Sequence, residues 1–182
     1  MSKAKPYRPK AIAAFNVAAG GLASLGLRSS LQPESLIKAA RKKTGLNEFG
    51  DESFREPLQV MVDAIEAEAR LHPFGRWVMR GRLIELLATR LRVHDLFKRH
   101  PQIAQQEISA PLVIVGLQRT GTTMLHRLLA ADPDTRALLS WEAISPAPSP
   151  KQKPGARDAR IKQAETAEKG LKYLAPEFFA IH

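Results

Sequence analysis

Over its first 110 residues the chain spaces its apolar positions with the period of a helix. Pro33 and Glu34 suit a helix start, and Gly45 suits its end. Ser53 and Glu56 stand at capping-box spacing ahead of Leu58, Met61, Val62, Ile65 and Ala69, which share one helical face. Pro73 and Gly75 break the chain. Trp77, Ile84, Leu87 and Leu91 then begin another amphipathic helix, and His100-Pro101 closes this run of helices. At Pro111 the pattern changes. Leu112, Val113, Ile114 and Val115 form a short, largely β-branched run bounded by Pro111 and Gly116, which predicts a buried parallel strand. Met124, Leu125, Leu128 and Leu129 return to helical spacing, and Ala137-Leu138-Leu139 is a second short apolar run.

Prolines at 146, 148, 150 and 154 forbid a helix or a central strand, so residues 144–155 are expected to form a mobile loop. A helix rich in Lys, Glu and Ala is predicted from about residue 156 to 174, and Glu177 to His182 is an apolar helical stretch with no stop signal. Three regions result: a basic N-terminal helical segment, residues 1–30; a helical region, residues 31–110; and residues 111–182, the start of a nucleotide-binding α/β domain. The expected fold is α/β, a P-loop-like three-layer arrangement around a parallel sheet, preceded by helices. The residues after Pro111 suffice for two or three strands with their helices, fewer than such a sheet needs. The chain is therefore expected to be the front part of a longer protein, with the helical region as a lid or acceptor-side wall.

Strand, tight loop and helix in that order aim backbone N–H groups and the positive end of a helix at one point, an anion site. Gly116 and Gly121 have the spacing of a Walker A loop, but Thr122 stands where that loop has lysine. The cation lies inside the loop instead, at Arg119. Such a loop can wrap a short anionic group with N–H donors from Thr120 to Thr123, three threonine hydroxyls and one guanidinium.

Val115-Gly116-Leu117-Gln118-Arg119-Thr120-Gly121-Thr122-Thr123 resembles the 5′-phosphosulfate loop of sulfotransferases that use 3′-phosphoadenosine 5′-phosphosulfate (PAPS). Leu125-His126-Arg127-Leu128-Leu129-Ala130, Asp132-Pro133 and Ser140-Trp141-Glu142 resemble a bacterial branch of that superfamily. So do Thr44-Gly45-Leu46, Phe49-Gly50-Asp51 and Ser53-Phe54-Arg55-Glu56-Pro57 upstream. Gln118 departs from the proline that many members carry. The resemblance implies that Gln118, Arg119, Thr120, Gly121, Thr122 and Thr123 bind the PAPS co-substrate and that Arg119 stabilises the leaving phosphate. No metal is implied. The residues that hold the 3′-phosphate are expected beyond those present here.

Sulfuryl transfer also needs a base for the acceptor proton. Glu142 lies 23 positions after Arg119, past a helix and the second apolar run, on a path that can return to the same sheet edge. Trp141 beside it is expected to desolvate the carboxylate. His182 is the second candidate base, weakened by its terminal position. His126, on the helix after the loop, reads as a packing or capping residue.

The net charge of +10 favours anionic partners. Residues 1–43 hold nine Lys or Arg against Glu34 alone, and residues 76–99 hold seven against Glu85 and Asp95. Aromatic content of 6% offers few stacking platforms, and no helix-turn-helix, ribonucleoprotein or OB pattern is present, so no specific nucleic-acid partner is expected. Lys3, Lys5, Arg8 and Lys10 precede Ala11 to Leu27, which is only weakly apolar and short for a membrane span. It reads as a basic amphipathic helix that packs on the domain or touches anionic lipid. Absence of cysteine removes disulfide and thiol chemistry and fits a cytoplasmic protein.

A small-molecule, glycan or lipid acceptor with a hydroxyl or amine is compatible with one glutamate base. Two other readings remain open at this level. One is a P-loop nucleotide phosphotransferase or hydrolase, against which Thr122 in the lysine position speaks. The other is a non-catalytic basic helical module that binds lipid or nucleic acid.

Overall fold

The structure is a computed structural model that describes residues 7–24, 28–117, 119–148 and 155–180. Eight α-helices occur in chain order among the described residues: α1 Lys10–Ser24, α2 Pro33–Thr44, α3 Arg55–Glu68, α4 Pro73–Arg99, α5 Thr122–Leu129, α6 Ser140–Ile144, α7 Ala159–Leu174 and α8 Pro176–Ala180. Short 3₁₀ turns cover Glu52–Phe54 and Pro101–Gln105.

The long helix α4, about 40 Å from end to end at the usual rise per residue, is the spine. Helices α1 and α2 pack against it, and α3 packs against α2. Leu83, Leu87 and Leu91, each one turn apart, put a single face of α4 into the core. Leu36, Ile37 and Ala40 of α2, Leu58 and Val62 of α3, and Leu31 and Phe49 from the connections complete it. Burying leucine-sized side chains contributes roughly 1.5–3 kcal/mol each, so this cluster is the main source of stability. It draws on residues 31–91 alone.

Three local expectations change. The predicted break falls at residues 69–72, just before Pro73, and Pro73 and Gly75 themselves lie in the first turn of α4. Proline is tolerated there because its missing N–H would have no helical partner, and a lone glycine weakens a helix by only about 1 kcal/mol. Asn16 Oδ1 accepts the Phe74 N–H at 2.9 Å, so α1 supplies a donor's partner at the start of α4. Ser53 does not cap α3, whose start at Phe54 has no side-chain cap; Asp51 caps the 3₁₀ turn ahead of it, its carboxylate accepting the Ser53 N–H at 2.7 Å and the Ser53 hydroxyl at 2.6 Å. A carboxylate accepts both bonds at once, and these hold its pKa below the ordinary aspartate range. By contrast, Pro33 and Gly45 bound α2 as predicted, Gly45 taking a left-handed C-cap with φ 74°.

The third change concerns the sheet. Residues 111–117 lie in neither helix nor strand, and no strand occurs among the described residues. A strand satisfies its backbone only through neighbours, and none of the described segments lies alongside this one. Leu112, Val113 and Val115 are accordingly 72%, 75% and 89% exposed rather than buried. The run 137–139 is likewise neither helix nor strand, with Leu139 in extended backbone as it enters α6.

Candidate active site

The loop before α5 folds back on itself. Arg119 takes φ 64° and Gly121 φ 86°, both left-handed, so the chain reverses sharply between Gly116 and Thr122. The Thr120 hydroxyl donates to Leu117 O at 2.7 Å and closes the turn. Gly116 lies under it: a Cβ there would sit 2.9 Å from both Thr120 Oγ1 and Thr122 Cγ2. Only glycine lets the loop come this close to its own base.

Helix α5 begins directly after Gly121, and no side chain caps it. Leu125 N is the first to bond within the helix, to Gly121 O at 3.0 Å. The N–H groups of Thr122, Thr123 and Met124 precede it, the orphan donors of a helix N-terminus. Arg119, Thr120 and Thr123 are exposed around them, with Thr122 half-buried. Donors, hydroxyls and one guanidinium thus stand where an anion would meet the positive end of a helix. Gln118 lies outside the described residues. His126 is exposed in the last turn of α5, a place that suits the capping half of its expected role rather than packing.

Glu142 occupies the first turn of α6 with its side chain 17% exposed. Its Oε1 accepts from Arg136 Nη2 at 2.6 Å, and its Oε2 accepts the Leu139 N–H at 3.0 Å. Both oxygens therefore have partners, one a backbone donor that fixes the helix start. Helices α5 and α6 make no contact with each other among the described residues. His182 lies outside the described residues.

Trp141 also carries a cation on its ring. The Arg160 guanidinium lies over its ring, 4.7 Å from the centroid. Arg160 also pairs with Asp158 at 2.7 Å and donates through Nη1 to Ser145 O at 2.8 Å and Pro146 O at 3.0 Å. Hydrogen bonds from the Arg160 side chain and N–H hold the Asp158 carboxyl below its usual range. Arg160 thereby ties α6, the start of the proline-rich segment and α7 together, with Ser145 and Ala147 buried. Residues 149–154 of that segment lie outside the described residues. Sequence reasoning missed Arg160 and Arg136, because a lone arginine carries no spacing signal.

Between α4 and α6–α7 lies a cleft of about 550 Å³, walled by Trp141, Ile144, Ile161, Leu171 and Phe178 and edged by Glu85. Glu85 is shared by Lys43 and by Arg92, the latter at 2.9 Å. Burial pushes its carboxyl up, but hydrogen bonds and charge from the two cations outweigh that, and its pKa falls below the ordinary glutamate value.

Residues 111–180, from the proline before the loop to the end of α8, match the sulfotransferase family. The fold as a whole is similar to two solved bacterial sulfotransferases. One is STF1 from Mycobacterium tuberculosis, with 33% identity and TM-score 0.65 over 78% of this chain and 40% of that one. The other is STF9 from Mycobacterium avium, with 30% identity and TM-score 0.66 over 79% of this chain and 36% of that one. The sulfotransferase resemblance read from the sequence is thus upheld. The chain spans about two fifths of the length of these relatives. No curated protein matches it significantly.

Proposed function

We propose that this chain carries the donor-binding front part of a cytoplasmic sulfotransferase that moves a sulfuryl group from PAPS to a hydroxyl or amine. The observation that carries this reading is the uncapped start of α5 behind a self-closed loop, at the head of the segment that matches the family. In it, the N–H groups of Thr120 to Thr123, the Thr122 and Thr123 hydroxyls and Gln118 hold the 5′-phosphate, the Thr120 hydroxyl keeps the loop closed, and residues 111–117 enter the sheet of a P-loop-like α/β domain. Arg119 faces the bridging oxygen. As the bond from sulfur to that oxygen breaks, its charge offsets the negative charge left on the phosphate. The acceptor oxygen or nitrogen forms the new bond to sulfur and gives its proton to Glu142. That transfer requires Arg136 to release Oε1, a movement open to a side chain 77% exposed. Arg119 also fits this role better than that of a Walker lysine, since it precedes Gly121 instead of following it.

A titration with 3′-phosphoadenosine 5′-phosphate, beside ATP with Mg²⁺, tests the reading. At 100 times its dissociation constant a ligand stabilises the fold by about 2.7 kcal/mol, a visible rise in melting temperature. The bisphosphate should stabilise the chain and ATP should not. Arg119→Asn, which accepts left-handed backbone but removes the cation, should abolish the effect. Stabilisation by ATP with Mg²⁺ alone would favour a phosphotransferase. No stabilisation by either would remove the donor site from this chain.

A further inference from the structure

Helix α1 is apolar on its outer face as well as its inner one, which is unusual for a helix at a protein surface. Between Lys10 and the final serine its one polar residue, Asn16, points inward and bonds to the start of α4. The exposed arc consists of Ala11, Ala14, Phe15, Val17, Ala18 and Gly21, with Val17 79% and Phe15 45% exposed. This apolar face continues onto α4. Phe15 meets Phe74 edge-to-face at 5.9 Å, Phe74 meets Trp77 at 5.8 Å, and Trp77 is itself 58% exposed. Cations ring it. Arg8, Lys10, Arg28 and Arg70 are exposed around the face, and residues 1–33 hold five Lys or Arg with no Asp or Glu. Glu66, the acid beside Arg28, is held by Arg76.

From this combination we infer that the outer face of α1, with the aromatic run at the start of α4, docks onto an anionic lipid bilayer. Phe15, Val17 and Trp77 enter the headgroup boundary, where tryptophan is favoured, while Arg8, Lys10 and Arg28 meet lipid phosphates. A second copy of the chain is a poor occupant. A two-fold contact would lay this basic rim against its own equivalent, and like charges repel. Docking of this kind is peripheral: no helix among the described residues is long and apolar enough to cross a membrane.

Cosedimentation of the full chain with phosphatidylcholine vesicles, with and without phosphatidylglycerol, tests the inference. Binding should require the anionic lipid and weaken with salt. In a Trp141→Phe background, which leaves Trp77 as the only tryptophan, emission should shift to shorter wavelength on binding. Val17→Glu replaces an exposed residue, so it should leave melting unchanged yet abolish sedimentation. Lys10→Gln should weaken partitioning roughly fivefold, the equivalent of about 1 kcal/mol for one cation at an anionic surface. Equal binding to neutral vesicles, no binding, or full binding by Val17→Glu would overturn the proposal. So would a stable dimer that Val17→Glu disperses.

Discussion

Gly116→Ala puts the anion loop to its sharpest test, because the clash is local and its size can be worked out. The new methyl carbon would lie 2.9 Å from Thr120 Oγ1 and 2.9 Å from Thr122 Cγ2. Both partners are threonines, whose χ1 wells are few and stiff. Thr122 stands in the first turn of α5, where a threonine has two χ1 wells open to it, so it must turn or shift. Thr120 can rotate away, but it then gives up its 2.7 Å bond to Leu117 O. One lost hydrogen bond at about 0.5–1.5 kcal/mol and one displaced rotamer at about the same give roughly 1–3 kcal/mol against the closed loop. If only the closed loop binds, that penalty passes into affinity, a rise in Kd of roughly 5- to 150-fold for 3′-phosphoadenosine 5′-phosphate. Global melting should hardly move, since the loop is exposed and the core draws on residues 31–91. Calorimetric titration beside a thermal melt separates the two quantities. Thr120→Ala alone should also weaken binding, because it removes the bond that closes the turn. Gly116→Ala binding as tightly as the parent would refute the closed loop as the binding state.

Other outcomes can be checked alongside. Leu36→Ala, at a side chain with no exposure, should lower stability by about 3–5 kcal/mol in urea melts, whereas Leu112→Ala at an exposed position should stay within about 0.5 kcal/mol. For Glu85 the folded pKa is depressed, so the unfolded chain takes up this proton at the higher pH. Its contribution is therefore whole above the ordinary glutamate range and is lost as pH falls through the folded value, and Glu85→Gln should flatten that part of the acid limb of a pH–stability curve. Arg160→Met should free the carbonyls of Ser145 and Pro146 and uncover Trp141, read as faster protease cleavage near residue 146 and altered Trp141 emission.

The sequence made some of this plain and hid the rest for identifiable reasons. The bounds of α2 were readable because proline and glycine act through their own backbone. The loop was readable because its glycines and threonines are a local signal. The strand at 112–115 was not, since a strand depends on residues far away in the chain that must lie beside it. The cap at Asp51 was masked by Ser53, two residues on, which has the same spacing logic but donates to the carboxylate instead. Glu142 stood out by its distance from Arg119, yet what its oxygens bond is set by Arg136, which no pattern pointed to. Trp141 is the platform of Arg160, nineteen positions on, a pairing that no local pattern announces.

The bare apolar ribbon from Leu112 to Leu117 has a consequence for how the protein behaves in a tube. It is uncharged, half of it is β-branched, and it lacks a neighbouring strand among the described residues, features of segments that stack on their own kind between molecules. Pro111 on one side and Arg119 on the other act as gatekeepers that shorten the stretch able to pair. Solutions should therefore stay clear when dilute and cloud as concentration rises, with fluorescence from an amyloid dye marking the onset. A charge placed at Val113 should delay that onset, because a ribbon carrying like charges no longer stacks in register.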